Sequence, residues 1–332
     1  MRHVFLMIGV LGILAGSLVR ADEKQPLTIA SWNIEWFFDN NSSDNVSELS
    51  KKMGAPTRED WDWRMDGVAK AISEMKPTIL CLQEIENRKV LFFLMRKLKA
   101  DYGLNYKIAY IEGEDYFTEQ DVAILWQSGM VEYSRRELST EDRESKKYYP
   151  VQKHIFGRFE WGEGAEKEGF TLVNLHLRAT PDGTLFRQRQ GALVRRWLEG
   201  ETARGEQLVI MGDLNSEEHF DQTTNDHELG ILRGLNTEDT KDDLRDLHEF
   251  LAPERRLTHI ILKSFDRILV SPRMLTDEPD KKDLVFKKVS VPKEFVIRGK
   301  QDTDHMDIYW TIPPEERDVS DHWPVVAEFE WK

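Results

Sequence analysis

The chain has 332 residues, of which 40% are hydrophobic and 32% charged, so it has apolar content for a large core and a composition that excludes wholesale disorder. Its formal charge is −14, which excludes bulk attraction to polyanions, and a single cysteine, Cys81, excludes an intramolecular disulfide.

The first segment reads as a targeting signal. Arg2 and His3 precede an apolar run from Val4 to Val19, and "VRA" then leads into Asp22. This is the pattern of a secretory signal peptide cleaved after Ala21, and the run is short for a spanning helix. The expectation is a signal peptide over 1–21 and one domain over 22–332, secreted or periplasmic, with no stable membrane insertion after cleavage. Removing residues 1–21 takes away Arg2 and Arg20 and no acid, so the charge becomes −16. A phosphate-ester substrate would then need a metal to offset the carboxylates locally.

The mature chain opens on a strand pattern, "LTIASWNI" (27–34), followed by a polar stretch at 39–58 that reads as a surface loop. Trp61, Met65, Val68, Ala71, Ile72 and Met75 recur at helical spacing, and Pro77 closes the segment. These Trp and Met residues read as core. "TILCLQEI" (78–85) is a second strand with Cys81 buried inside it, and 90–98 a second helix. Strands follow at "KIAYIEG" (107–113) and "DVAILW" (121–126), then a polar stretch at 139–149 and a strand at "FTLVNLHL" (170–177). A helix over 185–198 leads to "QLVIMGDL" (207–214). Beyond a polar stretch at 216–228, "DDLRDLHEFL" (242–251) reads as a weaker fourth helix. "DRILVSP" (266–272), a polar stretch at 276–305 and "WPVVAEFEW" (323–331) complete the chain. Several strands lack a polar face, which suits burial on both sides. Strands and helices mix without strict alternation, giving an α/β (α+β) class with stacked sheets.

Polar residues fall at the ends of these apolar strands. Asn33 interrupts the first, Glu84 ends the second, His176 sits in "VNLHLRA", and Asp213 and Asn215 end "VIMGDLN". Asp266 opens "FDRILV", and Asp321 and His322 open the last strand. Buried strands exclude charged groups unless these are paired or bind a metal. Singly, each is an ordinary turn residue or cap; together they point to one shared site. Carboxylates with amides suit a hard cation, Mg²⁺ (or Mn²⁺/Ca²⁺). There is no HExxH and no cysteine pair for zinc. A histidine beside carboxylates serves acid, base or phosphate-donor roles, which together with a metal fits attack of water on a phosphate ester. No GxSxG, GxxxxGK[ST] or GxGxxG occurs. Paired acids for glycoside cleavage would not explain two histidines and two asparagines at strand ends.

"SWNIEWF", "LQEIEN", "VNLHLRA", "MGDLNS", "FDRILVSP" and "VSDHWPV" stand in the order seen in the endonuclease/exonuclease/phosphatase (deoxyribonuclease I-like) superfamily, and the chain resembles it over residues 27–332. "QEIEN" and "NLHLRA" look most like its bacterial exported nuclease-like branch. The resemblance implies a four-layer sandwich of two stacked mixed β-sheets flanked by helices, with the site where strands of both sheets converge. It implies metal binding by Glu84, Asn33 and Asp321, with Glu35 as a further acidic ligand or an exposed strand residue. Asp213 would orient or deprotonate water, and Asn215 would place water or a phosphate oxygen. His176 would donate to phosphate or protonate the leaving group, and His322 would contact the phosphate with Asp266 fixing its tautomer. Asn33 lies near phosphate as well as metal, and Arg178 is a candidate phosphate clamp.

Two positions depart from the pancreatic-type pattern. Lys147 or Arg158 stands in for its arginine, and Asp121 or Glu119 for the carboxylate supporting the first histidine. Arg187, Arg189 and Arg195 either meet a substrate backbone or form a solvated helix face. The implied activity is a metal-dependent phosphodiesterase, an exported nuclease acting on nucleic acid as a monomer. The alternatives are a phosphatase or phosphodiesterase on inositol phosphates, other small phosphates or sphingomyelin, and a non-catalytic binding module on the same scaffold. The chain's end, unlike most termini, is expected to be ordered core.

Overall fold

The computed structural model describes residues 26–164, 167–216, 224–279, 281–298, 305 and 308–332. The expected signal peptide lies outside the described residues. Two six-stranded mixed sheets stack face to face. The first contains β1 (Leu27–Phe37), β2 (Ile79–Ile85), β3 (Lys107–Tyr110), β4 (Asp121–Trp126), β11 (Leu284–Ser290) and β12 (Val325–Trp331), in the order β11-β12-β1-β2-β4-β3. The second contains β5 (Met130–Ser134), β6 (Lys153–Trp161), β7 (Glu168–His176), β8 (Leu208–Asp213), β9 (Arg245–Asp246) and β10 (Asp266–Val270), in the order β5-β6-β7-β8-β10-β9. The β1–β2 and β7–β8 pairs are parallel and the remaining pairs antiparallel.

The absence of a polar face in the strands follows from this stacking. In β1, Leu27 and Ile29 enter a core shared with Met211, Ile268 and Val325 between the sheets, whereas Ala30, Trp32 and Ile34 face helices. Those helices are α2 (Arg58–Met75) and α3 (Arg88–Tyr102), which bury Val68, Ile72 and Leu94 on the outer face of the first sheet. Leu193, Val194 and Leu198 of α5 (Thr184–Ala203) cover Val173, Leu175 and Ile210 on the second, together with α6 (Glu228–Arg233). The architecture is thus helix, sheet, sheet, helix. Trp61 and Met65 are core, as their spacing predicts, and Cys81 is fully buried between the sheets.

The β12 strand lies between β11 and β1, with Val325, Ala327 and Phe329 buried. The end of the chain is therefore core. Among the described residues no helix is long and apolar enough to cross a membrane.

The structure corrects several sequence readings. The 242–251 segment forms no α-helix. It holds the end of one 3₁₀ turn (Thr240–Asp242), then β9, then a second turn (Leu247–Phe250). Asp239 and Asp246 cap these turns by accepting the Lys241 and His248 N–H groups, and β9 pairs with β10, so side-chain capping outweighs a weak periodicity. The polar stretch 276–305 contains the edge strand β11, whose exposed Lys287 and Lys288 disguise it. The stretches 39–58 and 139–149 contain the short helices α1 (Glu48–Met53) and α4 (Thr140–Glu144), and β3 ends at Tyr110 rather than 113.

Candidate active site

Strand alternation sets the site. Positions 29, 209, 211, 268 and 270 point between the sheets, and so do the polar residues that continue these rows: Asn33, Asp213 and Asp266. His176 extends the inter-sheet row of Phe170 and Leu172 in β7. Just below, Asn174 ties the sheets. Its amide N–H groups reach Leu82 O at 3.1 Å and Ala123 O at 2.9 Å, and its oxygen accepts from Gln83 at 2.7 Å.

Glu84 breaks the rule. Strict alternation would turn it toward the helices, yet Ile85 packs there instead. The register of β2 slips between Gln83 and Ile85, and Glu84 takes φ +62. This bulge delivers the carboxylate to the site. A second slip in β1, between Asn33 and Phe37, comes with φ +44 at both Glu35 and Trp36, and Asn215 has φ +48. Left-handed backbone at four non-glycine strand-end positions marks where geometry is held against local preference.

Asn33 is the hub. Its Nδ2 donates to Glu84 Oε1 at 3.0 Å and Asp213 Oδ2 at 2.9 Å and lies 3.4 Å from His322 Nε2, while its Oδ1 accepts the Glu35 N–H at 2.9 Å. The other Glu84 oxygen accepts the Trp36 N–H at 2.9 Å. Asp213 Oδ1 accepts the Asn215 N–H at 2.9 Å, and Asn215 Nδ2 donates to Leu177 O at 3.2 Å. His176 Nε2 is 3.5 Å from Asp213 and 3.9 Å from Glu84. His322 Nδ1 donates to Asp266 Oδ2 at 2.8 Å, which leaves Nε2 facing Asp213 at 3.7 Å and Asp321 Oδ1 at 3.9 Å. Asn33, Glu84, His176, Asp213, Asn215, Asp266, Asp321 and His322 therefore converge.

Electrostatics divides these groups. Burial, with the charge of Asp321 adding to it, raises Glu84 to about 7. Burial and the neighbouring Asp266 likewise raise Asp213. Burial opposes charge on His322, but Asp266, Asp213 and Asp321 outweigh it and hold the imidazolium well above the usual histidine range. His176 goes the other way: burial, then Lys153 and His322, keep it neutral. Burial is also outweighed at Asp321, which His322 and His259 hold below the usual carboxylate range.

Glu35 does not join this group. Its carboxylate accepts the Asp321 N–H at 2.9 Å and His305 Nδ1–H at 2.8 Å, with Arg64 3.8 Å away, so it braces the segment that presents Asp321. Arg178 is exposed beside the site, its guanidinium over the Phe186 ring at 5.9 Å.

Neither carboxylate expected behind His176 is there. Asp121 accepts from the Tyr110 hydroxyl and the Gly113 N–H, and Glu119 takes Val46 and Ser47 N–H groups. His176 Nδ1 is buried without a hydrogen-bond partner among the described residues. Lys147 lies over Tyr148, and Arg158 pairs with Glu132 and Glu160 toward the far end of β6. The local cation is Lys153, directly opposite His176 in the sheet and paired with Asp115 at 3.0 Å. Arg187 is fully buried on Glu228 and the Arg178 and Thr180 carbonyls, Arg189 binds the Tyr148 carbonyl, and Arg195 pairs with Asp242. They are structural rather than a substrate-facing row.

Sequence reasoning also missed His259. It bridges to His322 through the backbone, packs edge-on against its ring at 4.3 Å, and lies 3.4 Å from Asp321. Its strand-like neighbours in "LTHIILK" gave no periodic signal. Ser320 was missed too: its hydroxyl donates to Asn33 O at 2.8 Å and accepts the His322 N–H at 3.1 Å.

A family model described as "Endonuclease/Exonuclease/phosphatase family" matches residues 30–322. No curated protein matches the chain by sequence. Among solved structures, an endonuclease/exonuclease/phosphatase from Bacteroides vulgatus is similar at 17% identity and a TM-score of 0.58, over 93% of this chain and 100% of that one. The human Nocturnin catalytic domain with bound sulfate gives 15% and 0.56 over 92% and 94%. D. rerio TDP2 complexed with single-strand DNA product gives 13% and 0.52 over 92% and 99%. At these identities the likeness concerns the fold.

Proposed function

This chain belongs to the endonuclease/exonuclease/phosphatase family and is a phosphoric ester hydrolase of the phosphodiesterase or nuclease type, and from that premise we propose that it is an exported, divalent-metal-dependent nuclease acting as a monomer through a single domain over 22–332. The observation that carries the reading is Asn33, which joins Glu84 to Asp213 and stands within reach of His322. The N-terminal signal pattern supports export. The description of a structural neighbour with DNA product supports nucleic acid as substrate.

The donor set fits a hard cation. Asp321 Oδ1 is buried without a hydrogen-bond partner, and Glu84 is bonded only to an amide and a backbone N–H among the described residues. Glu84 and Asp321 would hold Mg²⁺ (or Mn²⁺/Ca²⁺), which would supply neutralisation of a phosphate oxygen when bound. Asn33, expected as a further ligand, instead turns its Nδ2 to Glu84 while its Oδ1 accepts the Glu35 N–H, so it positions the carboxylate rather than the cation. The remaining work belongs to side chains. His322, charged and held in one orientation by Asp266, donates Nε2–H to a non-bridging phosphate oxygen. Neutral His176 offers a second N–H from the opposite sheet. Asp213 orients the attacking water and takes its proton, and Asn215 fixes the Asp213 carboxylate through its N–H. Arg178 meets the flanking backbone phosphate.

The test is hydrolysis by the mature chain, with Mg²⁺, Mn²⁺ or Ca²⁺, of DNA, RNA, bis-p-nitrophenyl phosphate, sphingomyelin and soluble inositol phosphates. Glu84→Ala and His322→Ala are expected to lose orders of magnitude on the favoured substrate. Wild-type rates in His322→Ala would refute the site. Turnover confined to inositol phosphates or sphingomyelin would move the substrate class and leave the site standing.

A further inference from the structure

Beside Glu84 and His176 opens a cleft of about 740 Å³, walled by Trp36, Tyr116, Phe117 and Tyr149 and edged by Arg178. Its volume suits a nucleoside-sized group and greatly exceeds what a phosphate alone needs. Tyr116 is 81% and Phe117 71% exposed.

These two rings are held out by a braced loop. Asp115 accepts the Phe117 and Thr118 N–H groups, each at 3.1 Å, and pairs with Lys153. Glu119 accepts the Val46 N–H and the Ser50 hydroxyl at 3.0 and 2.9 Å, fixing the loop's far end. Gln152 donates to Glu114 O at 2.9 Å. Across the cleft, Tyr149 packs on Phe186 at 4.7 Å. Rings carried on a braced backbone pay only their own side-chain ordering cost, small for an aromatic with two χ angles, when a flat ring stacks on them. The floor carries Glu84, Lys153 and His176. An acyl chain lying there would strip water from charges without replacing it. A nucleobase offers a stacking face and keeps its phosphate on the polar floor, and that face is available only when the base is unpaired and unstacked.

We propose that this cleft stacks one unpaired nucleobase next to the scissile phosphate, so that the enzyme selects single-stranded over duplex nucleic acid. The proposal rests on the phosphodiesterase reading above.

Three oligonucleotides of equal length test it: a single strand, the same strand with an abasic residue beside the cleaved linkage, and its duplex. Cleavage with Mg²⁺ and binding by fluorescence anisotropy in EDTA are both measured. The single strand is expected to exceed the abasic strand and the duplex by about ten- to hundredfold in kcat/KM, through KM, and similarly in affinity. Phe117→Ala, at an exposed position, should collapse the preference for the base-bearing strand at an unchanged melting temperature. Phe117→Trp should retain the preference, Phe117→Leu should not, and Phe92→Ala, on α3, should leave it intact. Equal handling of base-bearing and abasic strands by wild type overturns the proposal. So does a preference that survives Phe117→Ala with Tyr116→Ala, or Phe117-dependent binding to sphingomyelin vesicles with none to the oligonucleotides. Discrimination in binding without cleavage of any strand would instead overturn the reading of the reaction and leave the cleft's ligand standing.

Discussion

Glu84 makes the metal-free protein prefer acid. In the folded chain it keeps its proton up to pH about 7, against 4.5 for an ordinary glutamate, because its carboxylate is buried beside Asp321. Between these values the folded state binds more protons than the unfolded one, so stability falls as pH rises, and the loss levels off above about pH 7. At about 1.4 kcal/mol per unit, this shift amounts to roughly 3 kcal/mol. The pKa of Asp213 is raised too, and its contribution runs in the same direction. So does that of His322, whose stabilisation is complete below the unfolded histidine pKa and fades as pH climbs through the raised folded value. Glu84→Gln isolates the first part. Urea unfolding in EDTA at pH 5, 6, 7 and 8 should show the difference in stability between variant and wild type moving in the variant's favour by about 2.5 kcal/mol across the series, the rest of the shift falling below pH 5. A constant offset from changed hydrogen bonding does not affect that slope. Saturating Mg²⁺ should restore wild type at pH 8, since the cation replaces the proton, and do little for the variant. Parallel stability curves for the two proteins would refute the assignment of Glu84 as a buried, raised carboxylate.

Asp266→Asn should lower kcat/KM by at least about 100-fold by removing the charge that keeps His322 protonated and oriented, and combining it with His322→Ala should cost no more than His322→Ala alone. Steady-state kinetics on whichever substrate of the panel is turned over check both. Asn174→Leu should destabilise by about 2–4 kcal/mol in urea unfolding, because it removes the nearer of the two acceptors of Gln83 Nε2, leaving Ser31 Oγ at 3.2 Å, and the donors to the Leu82 and Ala123 carbonyls between the sheets. Gly212→Ala should cost about 3 kcal/mol or prevent folding, since φ there is +141 and a Cβ would lie 1.9 Å from Leu175 O; circular dichroism and denaturation show which. Deleting residues 319–332 removes β12 from between β11 and β1 and should abolish both the cooperative transition and activity.

The stacked sheets were legible because strands buried on two faces have nowhere to put polar residues. Hence β1, β2, β4, β7, β8, β10 and β12 stand out as apolar runs. The interior strand β6 is hidden because Lys153, His154, Arg158 and Glu160 break its apolar run. The edge strands β5 and β11 escape that logic, whereas β3, also at an edge, was read. Lys287 and Lys288 of β11 and Glu132 and Tyr133 of β5 face water, and no burial pressure writes a pattern into them. The 242–251 segment fails for the opposite reason: Leu244, Leu247 and Leu251 are buried at near-helical spacing, but two aspartates redirect the backbone into tight turns.

The site divides along the same line. Asn33, His176, Asp213 and Asp266 are polar interruptions of inward-facing rows, and a period of two is enough to find them. Glu84 lies on the wrong phase of its strand, so its polar position was readable while its direction was not. Only the bulge at φ +62 turns it inward, at the point where Ile85 takes over the helix-facing position. Lys153 and His259 were invisible for a further reason. Each matters because of what stands opposite it: Lys153 because the register of β6 puts it across from His176, and His259 because a backbone bridge sets it against His322. Register between strands is a relation between two segments, and hydrophobic periodicity within either segment carries no trace of it. The expected supports, Asp121 and Glu119, failed on that point. They are near the right strand in sequence, but Tyr110 and Gly113 claim one carboxylate and Val46 and Ser47 the other. A residue that interrupts its own strand is thus readable from the strand alone, whereas one that supports a partner across the sheet becomes readable only once the pairing is known.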